Sequence, residues 1–378
     1  MRLSEEQILL RDTARDVARN LLMPHAAEWD REGRFPKEAL AELAKLGFFG
    51  ALVPPEWGGA GADHVGYALA LEEIAAGDGA VSTILSVHNS VGCVPILKFG
   101  SEEQKARFLR PMAAGDMLAC FCLTEPGAGS DAAAIKTRAV RRGNRWVLNG
   151  TKQFITSGST AQVAIVFAVT DPAAGRRGIS AFIVPTATAG YRVARLEHKL
   201  GQRASDTAQI VFEDMELTPD LMLGAEGEGY RIALSNLEGG RIGIAAQALG
   251  MARAAYEAAL GYAQEREAFG QKIIGHQAVA FRLADMATQL AAARGLILDA
   301  AQRRDDGEPC LKEAAMAKLF ASEMAERVAS DAIQIHGGYG YVEGFPVERI
   351  YRDVRVCQIY EGTSDIQRLV ISRELARG

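Results

Sequence analysis

The spacing of apolar residues changes twice along this chain of 378 residues, and that change limits the folds it can adopt. From residue 4 to about 115, apolar residues recur every three or four positions, as in helices. Between about 117 and 220 they alternate, and from about 227 the helical spacing returns. No helix of usable length separates the predicted strands, which favours an antiparallel sheet or barrel over a parallel one. We predict a mostly α-helical protein with a central antiparallel β domain.

The length suggests two or three packed units. The predicted units are an N-terminal α-helical domain (1–116), a middle β domain (117–226) and a C-terminal domain (227–378). The last contains alanine-rich helices predicted at 241–266, 276–305 and 311–335, with a final helix at 364–375. Helices that are apolar on most sides are buried on most sides. This pattern predicts a four-helix bundle that also forms a subunit interface; a monomer with a helical core is the alternative.

Charge and terminal sequence exclude several classes of partner. The net charge is −5 and no basic stripe is present, so we expect no nucleic-acid partner. The N-terminus carries Glu5 and Glu6 and lacks the apolar region of an address signal. No run approaches 18 consecutive apolar residues, so we expect no membrane span. These features suggest the bacterial cytoplasm, although a processed organellar protein would look the same.

The five cysteines are scattered and odd in number, which indicates a reducing compartment. Cys120 and Cys122 flank Phe121 in a strand-like run, so the two thiols should face away from the phenyl ring. A metal site would need a second pair of ligands, and no histidine or carboxylate cluster supplies one. We expect no metal.

Residues 123–131, which read LTEPGAGSD, form a glycine-containing loop after a predicted strand. The loop nominally fits the dinucleotide fingerprint G-x-G-x-x-A, but that fingerprint needs a helix to open there. Residues 136–140 instead alternate like a strand, and the expected acid about 20 residues later is absent. The loop can still bind a phosphate or flavin edge through its backbone N–H groups, Thr124 and Ser130, or be an ordinary turn.

Two further segments combine glycines with polar groups near helix ends. Arg266 offers a planar fork of donors suited to a phosphate, and His276 and Gln277 offer further polar contacts, although these residues alone favour an ordinary solvated interhelix loop. Residues 334–340 stop an alanine-rich helix with glycines, which also allow close approach of a ligand. His336 by itself is more typical of a structural histidine.

Residues 359–364, which read IYEGTS, hold the remaining candidate. Glu361 stands between an apolar run and the glycine that leads into the last helix. A carboxylate there can be a buried base whose pKa is raised by desolvation. It can equally be an acid favoured by the dipole at a helix start.

Together these motifs resemble the acyl-CoA dehydrogenase family along the length of the chain. The strongest pieces are 123–131, 149–152 (NGTK), 265–270 (EREAFG) and 360–364 (YEGTS). Four motifs in the family's order are far more specific than one. Within the family, the chain is most similar to short-chain and short-branched-chain enzymes. The resemblance implies a helical domain, a β-barrel domain and a C-terminal four-helix bundle.

The resemblance also implies non-covalently bound FAD. The implied flavin-binding positions are Phe121, Leu123, Thr124, Gly129, Ser130, Phe154, Ile155, Thr156, Arg266, Phe269, His276, Gln277, Gln334, Gly337, Gly338, Thr363 and Asp365. Phe154 departs from the tryptophan of many relatives, and Thr156 would lie near the N5 edge of the ring. Arg266, His276, Gln277 and residues 334–338 would reach FAD across a subunit boundary. A homotetramer built as a dimer of dimers is expected.

By the same resemblance, Glu361 would remove the α-proton of an acyl-CoA. The β-hydride would pass to flavin N5, giving a trans-2-enoyl-CoA, and an electron-transfer flavoprotein would accept the electrons. The backbone N–H of Glu361 and a flavin ribityl hydroxyl would stabilise the enolate. The implied substrate-binding residues are Ser130, Glu238, Arg241, Tyr360 and Gly362.

Individual residues further limit which reaction and which substrates the resemblance implies. Some relatives keep the base one residue before an arginine, but here that position is Gly240, beside Arg241, so the base should be Glu361. Ser82 stands where glutaryl-type enzymes carry an arginine, which argues against a dicarboxyl substrate. The acyl chain would depend on how Leu85, His88, Asn89, Leu237 and Tyr360 pack.

Other readings remain. A nitroalkane oxidase or flavin monooxygenase would replace or lose the glutamate, and an acyl-CoA oxidase would usually be longer. A non-catalytic assembly protein built on the fold is the alternative from another class.

Overall fold

The computed structural model describes residues 2–377, apart from the side chain of Glu238. Its N-terminal part is helical, as predicted. The helices are α1 (Glu5–Val17), α2 (Met23–Glu32), α3 (Lys37–Lys45), α4 (His64–Gly77), α5 (Gly79–Val87), α6 (Val94–Phe99), α7 (Glu102–Gln104) and α8 (Arg110–Ala114). Short π-helical turns join α1 to α2, α5 to α6 and α7 to α8. Helices α4 and α5 are buried along almost their whole length and form the centre of this part.

The stretch Gly79–Phe99, which contains α5 and α6, is long and apolar enough to cross a membrane by length and composition, with a mean hydropathy of 1.4. It packs against β-strand and helical neighbours, and 89% of its most apolar 18-residue window is buried inside the protein. Such burial is typical of a core helix. Ser82, His88 and Asn89 interrupt it, which is why the sequence shows no continuous apolar run.

The middle part contains one eight-stranded sheet. Its strands are β1 (Ala119–Cys122), β2 (Arg138–Arg142), β3 (Arg145–Thr156), β4 (Val163–Val169), β5 (Ile179–Pro185), β6 (Tyr191–Leu196), β7 (Thr207–Leu217) and β8 (Met222–Leu223). The order is β6-β7-β3-β2-β4-β5-β8, with β1 paired to β4. Strands β4 and β5 are buried on both faces, because their sequences are apolar almost without alternation.

Most pairings in this sheet are antiparallel, in agreement with the prediction, but two are parallel. Strand β1 runs parallel to β4 from Ala119↔Val163 to Cys122↔Val166, and β2 meets β4 at the single parallel pair Arg138↔Val169. Parallel neighbours need a long connection, and residues 123–162 provide it between β1 and β4. Alternation along a strand reports which residues are buried and carries no information on the direction of its neighbour.

The C-terminal part is built from long helices. They are α9 (Gly229–Glu265), α10 (Gln277–Asp305), α11 (Leu311–His336), α12 (Val347–Val354) and α13 (Ser364–Leu375), with a hairpin of β9 (Glu267–Ala268) and β10 (Gln271–Lys272) after α9. Helices α9, α10, α11 and α13 pack as the predicted bundle. Helix α9 begins twelve residues before the predicted 241, because Gly239 and Gly240 are weak helix formers that obscured its first turns. The domain boundaries after residues 116 and 226 stay a proposal.

A close contact joins the first and last parts of the chain. At Gly250 of α9, a Cβ atom would lie 2.1 Å from the carbonyl oxygen of Glu72 in α4. Only glycine allows the two helix backbones to come so near. Helix α9 therefore packs directly on α4, which places its N-terminal half beside α5.

A buried ion pair holds the loop that follows β1. Lys152 in β3 is fully buried, and its Nζ donates to Glu125 Oε1 at 2.8 Å and to the carbonyl of Leu123 at 3.0 Å. The Glu125 carboxylate also accepts from the backbone N–H groups of Lys136 (2.6 Å) and Thr137 (2.9 Å). Burial alone would raise the pKa of Glu125, but Lys152 and these donors bring that pKa below its ordinary value. The carboxylate is thus ionised and fixes both ends of the loop.

Replacing Lys152 with Met should leave Glu125 buried without its cation, so we expect the free energy of unfolding to fall by about 3–5 kcal/mol at neutral pH. Denaturation with urea measures this. Lys136→Met is the matched control, because the Lys136 side chain is exposed and its backbone N–H remains; it should change stability by less than about 0.5 kcal/mol. Equal stabilities of the two variants would contradict this role of Lys152.

Candidate active site

The turn that carries Glu361 has an unusual backbone. Glu361 has φ 54° and Gly362 has φ 88°, so two successive residues lie in the left-handed region. For a residue with a side chain this conformation costs roughly 1–2 kcal/mol. At Gly362, a Cβ atom would also lie 2.8 Å from Nε2 of Gln367. The next residue, Thr363, caps α13 by accepting from the N–H of Ile366. The turn therefore directs Glu361 away from the helix that follows it.

The Glu361 carboxylate lies against Gly240 of α9. A Cβ atom at position 240 would be 2.7 Å from Oε2 and 2.9 Å from Cδ of Glu361. The missing side chain of Gly240 thus provides the space that the carboxylate fills. Oε2 is buried and has no hydrogen-bond partner among the described residues. A buried carboxylate oxygen without a donor is available to accept a proton from a bound molecule.

Burial raises the pKa of Glu361 to about 7, although the charges of Arg241 and Lys318 act in the opposite direction. Arg241, the residue that follows Gly240, is itself buried. A carboxylate with this pKa is ionised in an appreciable fraction of molecules at neutral pH and is a stronger base than an ordinary glutamate. Those are the properties of a general base.

The side chain of Tyr360 ties this turn to the protein interior. Its hydroxyl donates to Oε1 of Gln247 at 2.8 Å and lies 3.4 Å from Oγ1 of Thr83. Gln247 in turn donates to Thr83 and, at 3.0 Å, to the carbonyl of Gly79. Through these bonds the turn is attached to α5 and α9.

The apolar stretch Gly79–Phe99, whose Thr83 contacts Tyr360, also binds β1. His88 Nδ1 accepts from the N–H of Ala119 at 3.1 Å, and its Nε2 donates to the carbonyl of Met112 at 3.1 Å. Burial lowers the pKa of His88 to about 4, so the ring is neutral. Asn89 is likewise engaged with backbone, at the carbonyls of Phe48 and Leu85. Thr83 and His88 are about 7.5 Å apart along the helix axis, so β1 and the Glu361 turn approach the same segment.

The residues expected to bind a flavin on the β domain lie together. Thr124, two residues after β1, accepts through its carbonyl from the N–H of Gln153 in β3 at 2.9 Å. Phe154 follows at a register shift in β3, with φ 57° and a ring that is 62% exposed. Bulges of this kind turn a side chain out of a sheet next to functional sites.

The other predicted positions of this group differ in exposure. Phe121 is partly buried and packs edge-on to Phe167, at 4.9 Å between ring centres, opposite the buried thiols of Cys120 and Cys122. Leu123 and Ile155 are buried, Thr124 and Thr156 are partly buried, and Ser130 is exposed. In the described part of the chain, no atom lies within 4 Å of a Cβ built at Gly129. The loop therefore has an open side.

A second group of predicted flavin positions collects at the far end of α9. Tyr262, Arg266, His336, Gly337 and Gly338 line a cleft of about 580 Å³ there. His336 stacks on Tyr262 with ring centres 4.4 Å apart, so it is a structural member of this wall. Gln334 and the two glycines are exposed.

Phe269 and its neighbours extend this second group along the hairpin. Phe269 is 96% exposed, and its ring lies 5.9 Å from that of His276. His276 is held at 3.1 Å by the carbonyl of Ala268, and Gln277 is exposed at the start of α10.

The Glu361 turn and the Arg266 group meet α9 at widely separated positions. Gly240, beside Glu361, and Arg266 are 26 positions apart in the sequence and belong to or directly follow this single helix, which corresponds to about 39 Å. The structure thus unites the Glu361 turn with α5 and β1, and keeps the Arg266 group separate from them within one chain.

The remaining predicted positions include Glu238, Thr363 and Asp365. The side chain of Glu238 lies outside the described residues. Asp365 is exposed and sits 3.6 Å from Arg368, and the hydroxyl of Thr363 is used as the cap of α13. Among the described residues no group of three metal-ligating side chains occurs, and the five cysteines are buried.

Sequence reasoning missed the polar residues that support the turn. Gln247, Lys318 and Gln367 are fully buried, and each bonds to Tyr360 or to the backbone of residues 361–362. The available signal was a lysine, Lys318, among the alanines of α11. Periodicity places Lys318 on the buried face, but it cannot say which atom the ammonium binds.

Comparison with known families covers nearly the whole chain. Residues 4–116 match the family described as "Acyl-CoA dehydrogenase, N-terminal domain", residues 120–215 its middle domain and residues 227–376 its C-terminal domain. An acyl-CoA dehydrogenase of Bacillus subtilis (strain 168) is 49% identical over 378 residues, which is 100% of both chains. The mitochondrial short-chain specific acyl-CoA dehydrogenase of Homo sapiens is 49% identical over 375 residues, or 99% of this chain and 91% of the human one.

Solved structures agree. A chain described with the electron transferring flavoprotein of Acidaminococcus fermentans matches with a TM-score of 0.99 and 45% identity, and butyryl-CoA dehydrogenase from Megasphaera elsdenii with 0.98 and 42%; both matches cover 100% of each chain. A glutaryl-CoA dehydrogenase from Mycobacterium smegmatis in complex with FADH2 matches with 0.94 and 34%, over 100% of this chain and 96% of that one. The chain therefore belongs to the acyl-CoA dehydrogenase family.

Proposed function

We propose that this protein catalyses FAD-dependent α,β-dehydrogenation of a short or short-branched acyl-CoA to the trans-2-enoyl-CoA, with Glu361 as the base. The observation that carries the proposal is the Glu361 carboxylate, whose buried Oε2 has no donor among the described residues and whose pKa is about 7. Relatives named short-chain specific acyl-CoA dehydrogenase and butyryl-CoA dehydrogenase support the substrate class.

The residues present fit FAD. The ring of Phe154, turned outward by a bulge and 62% exposed, offers a flat surface for the isoalloxazine, with Thr156 two positions further along β3. The open loop at Gly129 and Ser130 offers backbone and hydroxyl groups to the phosphates. When bound, FAD would supply the acceptor for the β-hydride, at N5, and a ribityl hydroxyl as a donor for the thioester carbonyl.

The chain itself supplies proton removal and alignment. The α-C–H bond breaks as its proton passes to Glu361, while the β-C–H bond breaks with loss of hydride. Enolate charge develops on the thioester oxygen, and the backbone N–H of Glu361 stabilises it there. Because the turn holds this N–H and the carboxylate on one residue, both act on the same thioester. Tyr360, Gly362, Ser130, Arg241 and Glu238 would contact the substrate, and Thr363 and Asp365 the flavin.

Within this reaction the base cannot be at position 240. Any side chain there would collide with the Glu361 carboxylate, at 2.7 Å from Oε2. Ser82 is fully buried and its hydroxyl donates to the carbonyl of Gly79 at 2.7 Å. It therefore offers nothing to a distal carboxylate, which supports a monocarboxylic acyl group.

The separation along α9 supports an oligomeric enzyme. We propose that a cofactor bound at Phe154 and Thr156 of one chain meets the Arg266, Phe269, His276 and Gln277 group of a second copy. The 96% exposed ring of Phe269 is consistent with coverage by another subunit. We propose that residues 334–338 of the second copy join it, in a homotetramer assembled as a dimer of dimers.

The electrons would pass to an electron-transfer flavoprotein, in keeping with the structural match described with such a protein. Cytoplasmic location and the absence of membrane and nucleic-acid partners stay predictions.

Butyryl-CoA or isobutyryl-CoA should bleach the flavin of the purified yellow protein under anaerobic conditions, and an electron-transfer flavoprotein should restore it faster than air does. Glu361→Gln should keep FAD and bind acyl-CoA but bleach about 10²–10⁴-fold more slowly, because the general base is lost. Stopped-flow absorbance measures both. A protein that cannot take up FAD would overturn the proposed function, and comparable bleaching by Glu361→Gln would remove Glu361 from the role.

The pH dependence follows from the sign of the shift. Only ionised Glu361 accepts a proton, and its pKa is raised to about 7, so kcat/KM should fall about tenfold per pH unit below pH 7. Asp353, whose pKa burial also raises to about 7, is the control. Asp353→Asn should retain the same acid limb. A profile that is flat between about pH 5 and 8 would contradict the assignment.

Gly240→Ala should displace the Glu361 carboxylate and lower kcat about 10²-fold, because a misplacement of about 1 Å has this effect. Gly239→Ala is the matched control on the same helix. The three atoms nearest to its Cβ would all belong to the movable guanidinium of Arg304, the closest at 3.3 Å, so kcat should stay within about threefold. FAD content is measured for both variants. Equal activity of the two would show that the contact at Gly240 does not orient the base.

A further inference from the structure

Lys318 is a buried cation directly behind the Glu361 turn. It lies on α11 among the buried alanines 314, 315, 317 and 321, and the side chain is 0% exposed. Its Nζ donates to the carbonyl oxygen of Gly362 at 2.7 Å. A buried ammonium is costly unless it is hydrogen-bonded or paired, so this position is fixed by what it binds.

A second side chain grips the same turn from another helix. Nε2 of Gln367, in α13, donates to the carbonyl oxygens of Glu361 at 3.1 Å and of Gly362 at 2.9 Å. Both carbonyls of the left-handed pair are thus held, one of them from two sides. Gln367 is fully buried and belongs to the helix that follows the turn, whereas Lys318 reaches it from the bundle.

The charge of Lys318 acts on the same group that its hydrogen bond positions. Burial lowers the pKa of Lys318 to about 8, and the charged or titratable groups facing it are Cys357, Glu361, Arg241 and Glu323. Of these, Arg241 lies on α9, Cys357 in the turn before Tyr360, and Glu323 on α11 itself. The positive charge of Lys318 favours ionised Glu361, as does that of Arg241.

We propose that Lys318 is a positioning residue of this enzyme. It binds the carbonyl oxygen of Gly362 and so holds the Glu361–Gly362 turn in place. The turn then keeps the Glu361 carboxylate against Gly240 and directs the Glu361 N–H toward the thioester. The inference rests on the proposed function of Glu361. Without Lys318 the left-handed conformation of Glu361, which is strained by roughly 1–2 kcal/mol, loses one of its two supports. The carboxylate then no longer has a single position.

Lys318→Met, which keeps the length and loses the donor and the charge, tests this in the FAD-loaded enzyme. We expect kcat for butyryl-CoA to fall about 10²-fold with KM within about threefold, because the base is misplaced while the binding surface remains. The acid limb of the pH profile should move to higher pH, because a charge that favours ionised Glu361 is gone. Ser322→Ala is the matched control: Ser322 is also buried on α11, and within the described residues its hydroxyl bonds only to the carbonyl of Leu319 in its own helix.

Lys318→Gln separates the hydrogen bond from the charge. It keeps an N–H donor without the cation, so its acid limb should shift as in Lys318→Met while kcat falls less. Should Lys318→Met not yield folded holoenzyme, Lys318→Gln decides the proposal by the same shift. Activity and acid limb equal to those of the parent and of Ser322→Ala would overturn it.

Hydrogen exchange tests the role of Lys318 independently of the proposed dehydrogenation reaction. In Lys318→Met, amides of residues 359–365 should exchange about tenfold faster than in the parent, with those of α13 beyond residue 367 unchanged. If the parent flavin is not reduced by any acyl-CoA, the proposed function fails and exchange alone decides the role of Lys318. Unchanged exchange in this segment would refute it.

Discussion

The contact between the Glu361 carboxylate and the bare backbone of Gly240 is the interaction on which the candidate site depends. It requires a glycine in the middle of a long helix, at a cost in helix propensity of up to about 1 kcal/mol. It also requires a left-handed glutamate, whose turn is held by Lys318 and Gln367. This contact buries the carboxylate away from water, and the desolvation raises its pKa to about 7. The features that weaken the local structure are the same features that raise the pKa of the carboxylate.

The architecture around this contact was largely readable from the sequence. Long helices and short strands are recorded in hydrophobic spacing, and the last helix is found at 364–375 as predicted. Two features were not readable. The parallel pairing of β1 with β4 joins segments 40 or more residues apart, and no local pattern reports strand direction. The start of α9 was missed because Gly239 and Gly240 interrupt the pattern.

For the site, the sequence left Glu361 between a helix-start acid and a buried base. The geometry separates the two, because Thr363 caps α13 and the Glu361 side chain instead turns back to α9. Family resemblance supplied the flavin positions, and the structure places the Arg266 group about 39 Å along α9 from Gly240, which lies beside Glu361. Lys318 could not be assigned from sequence, because a lone buried lysine does not reveal its acceptor. The role of the site residues therefore rests on chemistry that experiment can test.

Proton removal can be observed without hydride transfer by using acetyl-CoA, which has an α-carbon but no β-carbon. In D2O, the FAD-loaded protein should exchange the α-hydrogens of acetyl-CoA for deuterium faster than buffer does, as followed by proton NMR, while the flavin stays oxidised. The Glu361→Gln variant should show no such exchange above the buffer rate, because it lacks the base. Exchange at the buffer rate in the parent, or equal exchange in the Glu361→Gln variant, would contradict the claim that this carboxylate takes the α-proton.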